Sequence, residues 1–219
     1  GYGAGALIGL IGAVGGCIVS TRLMQRFTIK AYPEMKEAVN AEGNEENISF
    51  KNEGNIFMRI LNSVLDGGKS GVSIGVAIIP GVLVISTFVM MLTFGTSKSG
   101  EYTGAAYEGV ALLPYLANKI SIVFEWLFGF THAELVSFPI TSLGAVGAAL
   151  SLIPKFAAEG FIDGNAIAVC TAMGMCWSGF LSTHTAMLDS LGYRKLISKA
   201  ILAHTIGGFV AGIVAHWAF

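Results

Sequence analysis

Apolar residues fall along this chain in long runs, not in the alternation of a strand or the single stripe of a surface helix. Six runs stand out, at about 2–20, 71–95, 110–130, 134–154, 165–188 and 200–218. Each is close to or beyond the 18 or so residues a helix needs to cross roughly 30 Å of hydrocarbon. The pattern predicts an all-α, polytopic integral membrane bundle of about six segments. The fourth run contains Pro139 and ends at Pro154, which makes it a candidate for a re-entrant or broken helix. A polar stretch from Thr21 to Gly54, rich in Glu, Asn and Lys, separates the first two runs, and its "YPEMKEAV" reads as a short amphipathic helix. The expected organisation is a first span over 1–20, a polar loop over 21–54 and a transmembrane domain over 55–219.

Composition supports this reading. The chain has 219 residues, 53% hydrophobic and 12% charged, whereas soluble domains carry about twice that charged fraction. A net charge of −1 offers no basic footprint for nucleic acid. Ten of the 13 Lys and Arg fall on one side of the six-span layout: Arg22, Arg26, Lys30, Lys36, Lys51, Arg59, Lys69, Arg194, Lys195 and Lys199. Lys98 and Lys155 fall on the other, and Lys119 lies within a span. The positive-inside rule then places the 21–70 and 189–199 segments in the cytoplasm of a multi-pass protein of the cell inner membrane, with both ends outside. The chain begins at Gly1, without Met or a charged leader and already inside an apolar run, as a fragment or processed product would.

Glycines four apart (Gly5/Gly9, Gly12/Gly16, Gly67/Gly71/Gly75, Gly208/Gly212) form smooth strips on helices. In lipid, close backbone approach through small residues supplies the contact energy between helices. Three cysteines, Cys17, Cys170 and Cys176, lack CxxC spacing and read as small packing residues.

Several apparent motifs fail on chemistry. "GGKS" at 67–70 would need Gly at position 63 to form a phosphate loop, and Ser63 stands there. "NIS" at 47–49 fits a glycosylation sequon but falls in the segment expected to be cytoplasmic. Ser182 and His184 lie about 160° apart on one helix, so with Asp189 they form no triad. His204 and His216 are about 18 Å apart along a helix, too far to share a metal. No enzyme site and no cofactor are indicated.

The fifth run places Thr171, Gly174, Ser178, Ser182, Thr185 and Asp189 within about 80° of one another on a helical wheel, a polar stripe through an apolar helix. The fourth repeats the device with Glu134, Ser137, Thr141, Ala145 and Ala148, and Pro139 there frees the Leu135 carbonyl. Intramembrane carboxylates are costly, so Glu134 is the leading candidate for a cation or a polar solute. Ser137, Thr141, Ser178 and Ser182 follow as further binding groups, while Glu125 and His132 are weaker candidates.

The stretch "NIFMRILNSVLDGGKSGVSIGVAIIPGVLVI" resembles the start of a nucleoside-recognition, or gate, domain. "AELVSF" at 133–138 resembles the Asn-Glu-Phe-Val-Ala-Tyr motif of concentrative nucleoside transporters, with Ala133 where that family has Asn. "MGMCWSGF" lacks the family's Phe-Ala-Asn signature. The resemblance covers about 54–219 and is to the C-terminal half of such transporters. It implies that Glu134 takes the place of the ribose-binding acid and that a small nucleoside-like solute is moved, with Na⁺ or H⁺ coupling. A homo-oligomer in the bilayer is expected. The alternative is a non-transporting scaffold or accessory subunit that carries the same domain.

Overall fold

The computed structural model describes residues 2–34, 54–97, 99–105, 108–119 and 121–219. These are helical, without strands. Helix α1 (Tyr2–Ala31) is followed by α2 (Ile56–Thr93), the short α3 (Leu112–Lys119) and α4 (Ser121–Phe128). A 3₁₀ turn (Ala133–Val136) leads into α5 (Ser137–Ser142), α6 (Val146–Leu150) and α7 (Ile153–Ala158). Then come α8 (Gly164–Trp177), α9 (Phe180–Ser190), a second 3₁₀ turn (Arg194–Leu196) and α10 (Ile197–Ala218).

Among the described residues four helical runs are long and apolar enough to cross a membrane: α1, α2, the α8–α9 pair and α10 with its preceding turn. The first helix continues through Thr21 to Ala31, so the polar loop does not begin at residue 21. The rest of that loop, with its amphipathic "YPEMKEAV" from Met35 onward and its sequon, lies outside the described residues. The runs at 110–130 and 134–154 are not single helices. Gly129 turns the chain with a left-handed φ of 61°, and the second run is divided at 143–145 and 151–152. Pro139 sits in the first turn of α5, where backbone N–H groups have no helical acceptor, so its missing donor costs little there. Pro154 likewise lies in the first turn of α7. The stripe drawn along one continuous helix from 165 to 189 is also cut, because α8 stops at Trp177 and α9 starts at Phe180.

Three helices make the centre. Helix α1 runs parallel to α8 and antiparallel to α10, in the crevice between them, and its glycines set the spacing. A Cβ on Gly5 would come within 2.5 Å of the Gly164 carbonyl oxygen, on Gly9 within 2.6 Å of Ala168 O, and on Gly12 within 2.6 Å of Ala211 O. Gly16 lies against the Gly207 carbonyl in the same way. Backbone meets backbone along the whole strip, which maximises dispersion contact where water-driven association is absent. From α10, Gly208 seats the Trp177 indole, and Gly212 seats Phe128 and Met173. All three side chains are fully buried, and Phe128 holds α4 to the bundle.

The helix ends are well specified. Asp163 caps α8 by accepting from Ala166 N at 2.6 Å, and Asn55 caps α2 by accepting from Met58 N at 2.9 Å. Helix α9 closes in a Schellman motif at Gly192: Tyr193 N donates to Leu188 O at 2.7 Å and Gly192 N to Asp189 O at 3.0 Å. Across that turn Tyr32 meets Tyr193 edge-on at 5.6 Å, so the end of α1 and the start of α10 share one end of the bundle. Arg22, Arg26, Lys30, Arg194, Lys195 and Lys199 are therefore gathered there.

The second half of α2 packs against α9, with Gly81 on Ala186, and against the turn after α5, with Val89 on Gly144. Its first half is uncovered. Ile56, Phe57, Ile60, Val64 and Val72 are exposed, and Gly67, Gly68, Gly71 and Gly75 have no neighbour within 4 Å.

Candidate functional site

Two interrupted helices cross in the middle of the fold. One interruption is Leu143–Gly144–Ala145, between α5 and α6; the other is Ser178–Gly179, between α8 and α9. An interrupted helix strands N–H and C=O groups that low-dielectric surroundings make costly to leave unpaired. Here each break satisfies the other. Gly179 N donates to Ser142 O at 2.8 Å, Leu181 N to Leu143 O at 3.3 Å, and Ser182 Oγ to Gly144 O at 3.4 Å. Gly179 adopts a left-handed φ of 77°, and a Cβ there would lie 3.0 Å from Gly144 O, so conformation and contact both require glycine.

A third helix completes the arrangement. Had α8 continued, the Cys176 carbonyl would have accepted from Phe180 N. The break frees that oxygen, and His204 Nε2 of α10 donates to it instead. A carbonyl only accepts, so Nε2 carries the proton; Nδ1 of the neutral ring then accepts from Ser20 Oγ at 3.3 Å. Trp177 Nε1 donates to His204 O at 3.2 Å, tying the same two helices once more.

The residues expected to form a site do not form one cluster. Ser182 is fully buried and sits at the crossing, with its hydroxyl also donating to Gly179 O at 2.8 Å. Thr141 is fully buried as well and donates to Ser137 O at 2.7 Å, while Ser137 Oγ donates to Glu134 O at 2.6 Å. The Thr141 and Ser137 hydroxyls donate within their own segment and Ser182 shares its hydrogen between Gly179 O and Gly144 O, so all three keep only acceptor capacity for a ligand. Ser178 joins Thr171 and Gly174 on the wall of a cavity of about 390 Å³ between α5–α7 and α8, otherwise lined by apolar groups such as Phe138, Val146 and Ile153. Glu134 stands apart: it is exposed in the 3₁₀ turn and lines neither that cavity nor the crossing. Of the weaker candidates, Glu125 is exposed on α4, and His132 stacks on Phe161 at 4.4 Å. Asp189 pairs with Arg194 at the turn after α9.

Outside the membrane-spanning helices, Glu108 closes the connection before α3. Its carboxylate accepts from Thr103 Oγ1 at 2.6 Å, Thr103 N at 2.8 Å and Gly104 N at 2.9 Å. These bonds, the Thr103 hydroxyl foremost, hold its pKa below the ordinary carboxylate value. No group of three or more His, Cys, Asp or Glu suited to a metal occurs among the described residues.

Sequence reasoning missed Gly144, Gly179, His204 and Ser20. The signal for the first two was present as glycines inside apolar runs. That for His204 was a polar ring placed opposite a break. No protein-family model matches the chain, and no curated protein or solved structure does either.

Proposed function

We propose that this chain moves, or helps to move, a small polar solute of nucleoside-like character across the cell inner membrane. The observation that carries the reading is the crossing of two broken helices in the middle of the fold, beside a cavity bordered by Thr171 and Ser178. Helices keep their hydrogen bonds in lipid unless an interruption has a use, and discontinuous helices at the midplane are how many transporters present backbone dipoles to a solute or coupling ion. Movement of α5–α6 against α8–α9 would exchange those backbone bonds for bonds to the solute. Na⁺ or H⁺ coupling would then act at the same break or at Glu134. The layout remains six segments, with the broken α3–α4 and α5–α7 stretches as the third and fourth, and with the 21–70 segment cytoplasmic. The clustering of six basic residues at one end of the bundle supports that orientation.

The test is a thermal melt of the whole protein in detergent, with nucleosides and Na⁺ titrated separately. A ligand that binds only the folded state stabilises it by about 2.7 kcal/mol at a hundred times its Kd. We expect saturable stabilisation that weakens in Ser178→Ala combined with Thr171→Val. Unchanged melting with every solute and cation would remove the transport reading.

A second reading has its own observation. The uncovered, apolar first half of α2 suits a chain that docks helices, either with copies of itself or as an accessory subunit. Co-purification of a stoichiometric partner, together with no response to solute, would favour it.

A further inference from the structure

A separate cavity of about 590 Å³ lies between α1, the α8–α9 break and the first half of α10. Its body is mostly apolar, formed by Leu10, Ala13, Met24, Met175 and Ala203 among others, with Thr21 also on its wall, and no Lys, Arg, Asp or Glu among the described residues lines it. One corner is polar, where Ser20, His184 and His204 meet with the two imidazoles 4.5 Å apart. Both ring nitrogens of His204 are committed, to Cys176 O and Ser20 Oγ. His184 is not so placed. Its one hydrogen bond among the described residues joins Nδ1 to Thr183 Oγ1 at a long 3.5 Å. No side-chain nitrogen or oxygen among the described residues is both fully buried and unpaired, so His184 Nε2 is not sealed away, and the ring itself lines the cavity.

We infer that this cavity binds a neutral, largely apolar molecule carrying a single hydroxyl head. The His184 ring and the free lone pair of Ser20 Oγ engage the head, and the body lies against α1 and α10. The volume falls in the range of small-molecule sites, whose walls are mostly apolar with a few placed polar groups. An anion would enter without a counter-charge, at a cost that uncharged walls cannot offset. A nucleoside would bring more polar groups than this one corner can satisfy. A plain hydrocarbon would leave His184 Nε2 facing apolar matter. The site is distinct from the crossing of the helix breaks and does not depend on the transport reading.

The experiment uses the whole chain in lipid nanodiscs and a photoreactive diazirine analogue of decanol, with insertion sites mapped by peptide mass spectrometry. Decanol, decanoate at alkaline pH and decane serve as competitors. Expected is labelling on α1 and α10 at the cavity, suppressed by decanol about fivefold more effectively than by either of the others, the value of one hydrogen bond. His184→Leu with Ser20→Ala should lower labelling by a similar factor. Val14→Trp should abolish it, since Val14 is 60% exposed at the cavity's edge and can be enlarged without entering the core. Equal competition by decane would reduce the cavity to an acyl-chain crevice, and stronger competition by decanoate would mean an anion site. Either result, or labelling that persists in Val14→Trp, overturns the inference.

Discussion

Gly179 meets two demands at once: it turns the chain left-handed between α8 and α9 while lying against Gly144 O. Gly179→Ala should therefore lower stability by about 1–3 kcal/mol, read as a fall in Tm in detergent. Ser182→Ala should cost less, about 1 kcal/mol, because its hydroxyl makes one good and one long hydrogen bond. Glu108 gives a pH-dependent effect. Its folded-state pKa is depressed, so its contribution is complete above the ordinary carboxylate value and is lost as pH falls through the lower folded value. Protection of the Thr103 and Gly104 amides, corrected for the intrinsic pH dependence of exchange, should accordingly stay constant above the ordinary carboxylate range and fall as pH drops below it. Unchanged protection in acid would show that the turn holds without the carboxylate. Individual residues were unevenly legible. Ser182 was recognisable as a polar group inside an apolar run, but its partner Gly144 lies 38 residues away, and nothing local names it.

At the scale of elements, the glycine strips separate into two kinds that look identical as sequence. Gly16 of α1 faces a backbone carbonyl of α10, whereas Gly71 of α2 has open space around it. Gly16→Ala should destabilise by about 1–3 kcal/mol, since neither backbone can yield without opening the bundle. Gly71→Ala should be neutral or stabilising by up to about 1 kcal/mol through helix propensity. A comparable fall in Tm for Gly71→Ala would mean that another helix covers that face, as a homo-oligomer or an accessory complex requires. The helix breaks were half legible. Proline and glycine marked where interruption was tolerable, yet Pro80 lies inside continuous α2 while Ser178–Gly179 ends α8. Whether an interruption forms depends on what lies opposite to take up the freed backbone groups. The histidine pair had a usable signal: His184 and His204 are equidistant from residue 194, in the turn between α9 and α10. Antiparallel neighbours at equal distance from a turn come face to face, as these do at 4.5 Å.

At the scale of the whole molecule, the gathering of basic residues at one end predicts a sidedness. Ser99→Cys should react with an impermeant maleimide in intact cells, and Ser190→Cys only after permeabilisation; reaction of both from one side would sink the orientation. The all-helical class was legible in the sequence, and so were four helical runs long and apolar enough to cross a membrane, because length and few charges follow from the order of residues alone. Glycine periodicity also marked in advance the face of α1 that meets neighbouring backbones, whereas the Gly208/Gly212 strip of α10 seats side chains instead. Tertiary structure decided the rest. It cut two of the six apolar runs into short helices and broke a third, left Glu134 exposed, brought Ser142 and Leu143 to the α8–α9 break, and supplied His204 to the Cys176 carbonyl. The physical reason is that a hydrogen-bonding group stranded in an apolar medium must find a partner, and the partner's place along the chain is free. Local sequence sets which segments enter the membrane. Satisfying the last backbone groups there is a pairwise matter across the fold, resolved only when the helices meet.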